Sequence, residues 1–186
     1  MFKFMEYVKI AKEVIKMVKI GEKAPSFNLD AYENGDIKKI NSEDYKGKWI
    51  VLTFYPRDFT FVCPTELKAL AASEEQFKSN NAIVLAASTD SAHSHKAWVQ
   101  RDLQEIKYPI LADTAHDLAR KYNILIEETG EALRGTFVID PDGILQYAVI
   151  SNLDVGRSVD EILRVLQALQ TGGLCPANWK PGEKTL

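Results

Sequence analysis

The residues of this chain with the most chemistry to offer are one cysteine and the arginines that could reach it. Cys63 stands in the string FYPRDFTFVCPTEL, directly before a proline and an apolar run at helical spacing. The thiolate is the nucleophilic form of a cysteine, and only a small fraction is ionised in neutral water, so a catalytic cysteine needs help from its surroundings. Pro64 suits the first turn of a helix, where a missing N–H costs nothing, which puts Cys63 at or beside the N-cap. There the sulfur would face unpaired backbone N–H groups and the positive end of the helix dipole, both of which favour thiolate over thiol. A fixed cation is the usual second aid, and Arg57, Arg134 and Arg157 are the candidates. Arg134 precedes the strand-like GTFVID, so it sits where a loop enters a sheet and can point across a pocket at its end. Thr60, three residues before the cysteine in the same turn, is placed to hydrogen-bond the sulfur or a substrate oxygen. Pro56 can end the preceding strand, fix the turn and screen the sulfur from bulk water. Glu66, one turn into the helix, is either a partner that orients the arginines or an ordinary solvated first-turn glutamate. Cys63 therefore reads as a reactive nucleophile.

Cys175 lies 112 positions further on, in the tail GGLCPANWKPGEKTL, where local unfolding is cheap and a sulfur can travel. Two cysteines without a CxxC pair argue against a structural zinc site and against a secreted disulfide framework. Lysines interrupt the apolar residues near the N-terminus, so no secretory core is expected there, and nothing approaches 18 consecutive apolar residues. A soluble, cytoplasmic protein is expected, and in that reducing setting a disulfide between Cys63 and Cys175 would be transient and catalytic rather than structural. His93, His95 and His116 invite a metal reading, but no carboxylate or cysteine stands at ligand spacing. His95 shares a helical face with Trp98 and Val99, which favours a packed or interfacial histidine. A formal charge of −3 gives no reason to expect nucleic acid as a partner.

The elements that must position these residues follow from periodicity. Residues 49–55 (WIVLTFY) form a near-continuous β-branched and aromatic run, as in a central strand covered on both faces. From Pro64 the period becomes helical, with Leu67, Leu70, Ala71 and Phe77 on one face. AIVLAAS (82–88) reads as another buried strand, 91–106 as a helix, Ile110 and Leu111 as a short strand, and 114–122 as a further helix. Glu33-Asn34-Gly35-Asp36 and Asp140-Pro141-Asp142-Gly143 are hairpin turns. Ser158 with Glu161 forms a capping box for a last helix carrying Ile162, Leu163, Leu166 and Leu169. At 186 residues and 46% hydrophobic content, with no linker, the chain predicts one core: an α/β layer with a mixed central sheet flanked by helices. Residues 1–18 predict an amphipathic helix that docks on its own domain or a neighbouring subunit, with a membrane surface as the alternative. Residues 171–186 predict an irregular tail.

With these residues in place, the chain resembles a known family. Pro56, Thr60 and Cys63 fit the PxxxTxxC signature of peroxiredoxins, and FYPRDFTFVCPTEL is similar to the typical 2-Cys branch that includes bacterial alkyl hydroperoxide reductase. The likeness runs from about Lys19 to Leu186 and takes in LRGTFVID with Arg134, VGRSVDE with Arg157, and Cys175 in GGLCPANWKPGE. It implies a thioredoxin-like fold over 19–170 and a thiol peroxidase that reduces hydrogen peroxide and organic hydroperoxides. It further implies that Cys63 becomes a sulfenic acid, with Thr60 and Arg134 holding the peroxide. Cys175 of the partner subunit in a homodimer would resolve it, and a thioredoxin-type or flavoprotein reductase would restore both thiols. Dimers assembling to a decamer, and no metal, haem or flavin on the chain, belong to the same implication. EETGEALR, without a Gly-Gly-Leu-Gly insertion, and an end at Leu186 depart from oxidation-sensitive relatives, which implies a loose tail, fast resolution and resistance to overoxidation. A holdase chaperone and a general disulfide oxidoreductase are the competing readings.

Overall fold

The computed structural model describes residues 18–186, so almost all of the expected N-terminal helix lies outside the described residues. Within them the chain runs β1 (Asn28–Glu33), β2 (Asp36–Asn41), β3 (Trp49–Phe54), α1 (Cys63–Ala72), α2 (Glu74–Ser79), β4 (Ala82–Ser88), α3 (Ala92–Asp102) and β5 (Ile110–Ala112). It continues through α4 (Asp117–Lys121), β6 (Leu125–Ile126), β7 (Glu131–Ala132), β8 (Arg134–Ile139), β9 (Leu145–Ser151) and α5 (Val159–Gln170).

Seven strands form the main sheet in the order β2-β1-β5-β4-β3-β8-β9. β4 pairs in parallel with β3 and β5, and the other pairings are antiparallel, so the sheet is mixed. A parallel step needs a crossover, which is why α1 and α2 separate β3 from β4 and α3 separates β4 from β5. Period-2 alternation along β3 divides its side chains between two cores. Val51 and Tyr55 pack with Leu67, Phe77, Trp98 and Ile162 from α1, α2, α3 and α5. Ile50, Leu52 and Phe54 pack with Leu118, Tyr122, Phe137 and Ile139 on the opposite face. Both faces are dry, which explains a strand with almost no polar positions.

Several boundaries differ from those read off the periodicity, each for a local reason. The helix that starts at Cys63 breaks at Ser73, whose backbone (φ −99°, ψ 2°) leaves the helical region, so Phe77 belongs to a separate helix. The helix expected from 114 starts only at Asp117, because His116 is left-handed (φ 62°). Asp113 caps it from outside by accepting the N–H groups of Leu118 and Ala119 at 3.1 and 2.7 Å. Ser158 accepts the N–H of Glu161 at 3.2 Å, but the Glu161 carboxylate turns to Arg164, so the capping box is half made. The β6–β7 pair is too short for any period to show. The tail beyond α5 holds no helix or strand and is mostly exposed, with one anchor at Trp179. Trp179 is buried, Arg164 Nη1 donates to its carbonyl at 3.0 Å, and its indole N–H donates to the Glu183 carbonyl at 3.0 Å.

The Tyr122 ring lies 4.3 Å from Phe137 and 5.6 Å from Phe54, centroid to centroid, while its buried hydroxyl has no hydrogen-bond partner among the described residues. An unpaired buried hydroxyl costs its lost hydration. Tyr122→Phe keeps the ring contacts and removes that cost. Urea unfolding is expected to show a gain of about 1 kcal/mol, and a loss of stability would mean the hydroxyl has a partner in solution.

Candidate active site

β3 and β8 bring the site together. Thr53 pairs with Thr136 across them, so the first residue of β8, Arg134, lies at the end of the sheet where β3 gives way to the loop 55–62. That loop returns the chain at Val62, which is already helical (φ −81°, ψ −42°) and offers no side-chain cap. Cys63 is thus the first helical residue, with Pro64 in the first turn behind it. The first-turn N–H groups keep their positive potential toward the sulfur.

Cys63 is fully buried, and Arg134 Nη1 lies 3.4 Å from its sulfur. The same nitrogen donates to Glu66 Oε2 at 2.7 Å, and Arg134 Nε donates to the Leu153 carbonyl at 2.7 Å. Three fixed acceptors therefore hold one guanidinium in one orientation. Arg157 reaches the site only through Glu66, to which it donates from its backbone N–H at 2.8 Å, from Nε at 2.8 Å and from Nη2 at 3.0 Å. Its Nη1 donates to the Gly135 carbonyl at 2.8 Å and to Thr136 Oγ1 at 3.0 Å. Glu66 is the carboxylate between two buried arginines and not a solvated first-turn residue. Burial alone would push its carboxyl up, but the hydrogen bonds and charge of Arg157, joined by the charge of Arg134, outweigh it and hold the carboxyl below the usual range.

The remaining predicted residues are spread more widely. Pro56 is buried at the end of β3. Thr60 Oγ1 donates to the Arg57 carbonyl at 3.0 Å and not to the sulfur. Arg57 is exposed and pairs with Glu131 at 3.0 Å, so of the three arginines it alone stays outside the cluster. Cys175 is half-buried against the end of α5, its sulfur 3.4 Å from Thr171 Oγ1 and 3.6 Å from the Ala168 carbonyl. It does not pair with Cys63, and both thiols are free. The acceptors Leu153, Gly135 and Thr136 were not predicted, since two of them are backbone carbonyls and carry no signal in residue type. A cavity of about 400 Å³ lined by Phe27, Tyr45 and Ile139 contains none of these residues and sits away from the chemistry. Among the described residues no group of three or more His, Cys, Asp and Glu gathers as a metal site would, and no helix is long and apolar enough to cross a membrane.

A buried cysteine at a helix start, touched by an arginine, is compatible with more than one thiol enzyme. The AhpC/TSA family model matches residues 20–148 of the chain. The chain belongs to the AhpC/TSA family of peroxiredoxins. Peroxiredoxin prdx-2 of Caenorhabditis elegans is 49% identical over 176 residues, which cover 90% of this chain and 88% of that protein. The thioredoxin peroxidase of Echinococcus granulosus is 48% identical over 175 residues, 89% of this chain and 91% of that one. The crystal structure of reduced Plasmodium vivax 2-Cys peroxiredoxin aligns with a TM-score of 0.85 at 38% identity, covering 89% of this chain and 91% of its own. This peroxiredoxin therefore has the thioredoxin-like fold and is a thiol peroxidase. Its last residues, 167–186, match a model described as the C-terminal domain of 1-Cys peroxiredoxin, although the chain carries a second cysteine at Cys175 inside that segment.

Proposed function

We propose that this peroxiredoxin reduces hydrogen peroxide and small organic hydroperoxides at Cys63, with Cys175 of the partner subunit as the resolving thiol. The observation that carries the reading is the contact between Arg134 Nη1 and the Cys63 sulfur inside a buried cluster. Two guanidiniums and one carboxylate leave that cluster one positive charge in excess, which an anionic sulfur neutralises.

The sulfur attacks one peroxide oxygen, the O–O bond breaks, and the other oxygen leaves as water or alcohol after taking up a proton. Cys63 is then a sulfenic acid, oxidised by two electrons. Negative charge grows on the leaving oxygen as the bond stretches, and Arg134 supplies a donor at that point, joined by the Thr60 hydroxyl once it turns from the Arg57 carbonyl. Pro56 keeps bulk water from the sulfur, while Glu66 and Arg157 hold Arg134 in place. The Cys175 thiolate next attacks the oxidised sulfur, water leaves, and a disulfide forms between subunits. A dithiol reductase of thioredoxin or flavoprotein type returns two electrons and two protons by exchange. A relative described as a thioredoxin peroxidase supports the first of these. A cytoplasmic homodimer that builds toward a decamer completes the reading.

Non-reducing electrophoresis after stoichiometric peroxide tests it on wild type, Cys63→Ser and Cys175→Ser. A covalent dimer is expected in the wild type alone, and peroxide consumption should vanish in Cys63→Ser. Full function in Cys63→Ser would instead favour a holdase, which needs no thiol.

A further inference from the structure

The two faces of the main sheet are unevenly covered. α1, α2, α3 and α5 all pack on one face, where Leu67, Phe77, Trp98 and Ile162 join one apolar cluster. On the other face, among the described residues, α4 is the only helix, five residues long, and it contributes Leu118 and Ala119. The cavity of about 400 Å³ lies at the margin of this second face. The buried side chains that line it are Phe27, Ile50 and Ile139, all members of the second cluster. Ile50 pairs with Ile139 at the end of β3 and β8 remote from Cys63. Exposed charges of both signs, Glu43, Lys46 and Lys48, stand on the cavity rim.

The described chain begins beside this cavity. Val18 is half-buried and packs against the cluster that holds Phe27, Ile50 and Ile139. From it a turn, closed by the Glu22 N–H on the Lys19 carbonyl at 3.1 Å, leads to Lys23 on the cavity wall. Val18 is also the last member of an apolar stripe. Phe4, Val8, Ala11, Ile15 and Val18 alternate steps of four and three, the spacing of one helical face. On that spacing Glu6 and Glu13 border the stripe on one side, and Lys12 and Lys19 border it on the other. A helix made of the residues before Val18 would span about 25 Å, enough to cross the cavity from where the described chain starts.

We propose that residues 1–17 dock as a helix on their own subunit, laying this stripe over Phe27, Ile50 and Ile139 with Glu6 and Glu13 in reach of Lys46 and Lys48. Three observations carry the choice of occupant. The end of the stripe is already seated in the cluster from which the cavity is left open. The segment of the same chain starts at the cavity, whereas a neighbouring subunit's segment would have to cross from elsewhere. A helix lying on an anionic membrane carries cations along its polar face, and here one border of the stripe is acidic while the rim it would meet carries lysines. The docked segment covers the sheet at the end away from Cys63, so it supports the fold and takes no part in the thiol chemistry.

Hydrogen exchange read by mass spectrometry tests the contact on the full chain, comparing wild type with the double variant Phe4→Asp, Ile15→Asp. Backbone amides of 23–27, 42–48 and 140–143 are expected to exchange about tenfold faster in the variant. Its thermal midpoint should fall by about 5 °C, while peroxide consumption stays that of wild type. Equal exchange at those amides in the two proteins overturns the proposal. Amine cross-linking then tells whose segment is docked, in active protein refolded from equal parts of isotope-labelled and unlabelled chains. Links from Lys12 or Lys16 to Lys46 or Lys48 within one mass class support docking on the same subunit, and links of mixed mass overturn it in favour of a neighbour. Vesicles of anionic phospholipid supply the last arm. Wild type that stays in the supernatant supports the proposal, whereas sedimentation with the vesicles that the variant loses assigns the stripe to a membrane and overturns it.

Discussion

Arg134→Met lowers the second-order rate constant for peroxide reduction by about 100- to 1000-fold, the cost of removing one preorganised donor from developing charge. The methionine stem fills most of the space, so the loss comes from charge and not from a cavity. Among the described residues only this guanidinium touches the sulfur, at 3.4 Å, and its other bonds to Glu66 and Leu153 leave it a single orientation. Arg134→Lys separates charge from geometry. One ammonium on a flexible stem cannot satisfy the Leu153 carbonyl, the Glu66 carboxylate and the sulfur from the positions that two guanidinium nitrogens occupy. An intermediate loss of about tenfold is expected, measured by competition for peroxide against a second peroxidase. A rate within about twofold of wild type in Arg134→Met would remove Arg134 from the chemistry.

The largest effect on stability is expected at Glu66. Its two oxygens accept hydrogen bonds from Arg134 and from Arg157, and the carboxylate side chain is 4% exposed. Glu66→Gln keeps the shape but turns one acceptor into a donor that faces guanidinium N–H groups. The two buried cations then lose the carboxylate they share, which costs about 3–5 kcal/mol. For a domain of this size the thermal midpoint falls by about 10 °C, read by circular dichroism. Peroxide reduction should fall too, since Arg134 loses the bond that aims it. The same carboxylate sets an acid limit. Its folded value lies below the ordinary one, so its contribution is fully present above the unfolded carboxyl's value of about 4.3 and is lost as pH drops through the folded value. Wild type should lose stability in that window more steeply than Glu66→Gln. Parallel pH profiles for the two would mean that Glu66 is not paired as described.

Much of the site could be read from neighbours in sequence. The β-branched run into Pro56, the helix start at Cys63 and the turn through Thr60 are all local, and local geometry follows from residue type. The hairpins at Asn34-Gly35 and Pro141-Asp142-Gly143 were legible for the same reason. Helix ends were less so, because they depend on acceptors supplied from elsewhere. Asp113 caps α4 across a left-handed His116, and Glu161 abandons its capping role for Arg164. Among the arginines, residue type could not choose. Arg57 is nearest to Cys63 in sequence yet pairs with Glu131, while Arg134 touches it from 71 positions away. The buried Asp58 and His95 pair, 37 positions apart, carried no pattern beyond a histidine on an apolar helical face.

The order of residue types alone therefore determined the kind of chemistry, a nucleophilic sulfur at a helix N-terminus in an α/β chain with a second thiol in a mobile-looking tail. Dipoles, turns and periodicities act over a few residues, and those are visible in a string of letters. The folded sheet alone decided which cation meets that sulfur, which carboxylate holds the cation, and where the loop around it is anchored. Those contacts exist because β3 and β8 pair in one register and because α1, α3 and α5 cover the same face. Register and layer packing are properties of the whole core, and they are settled only when all of it is assembled.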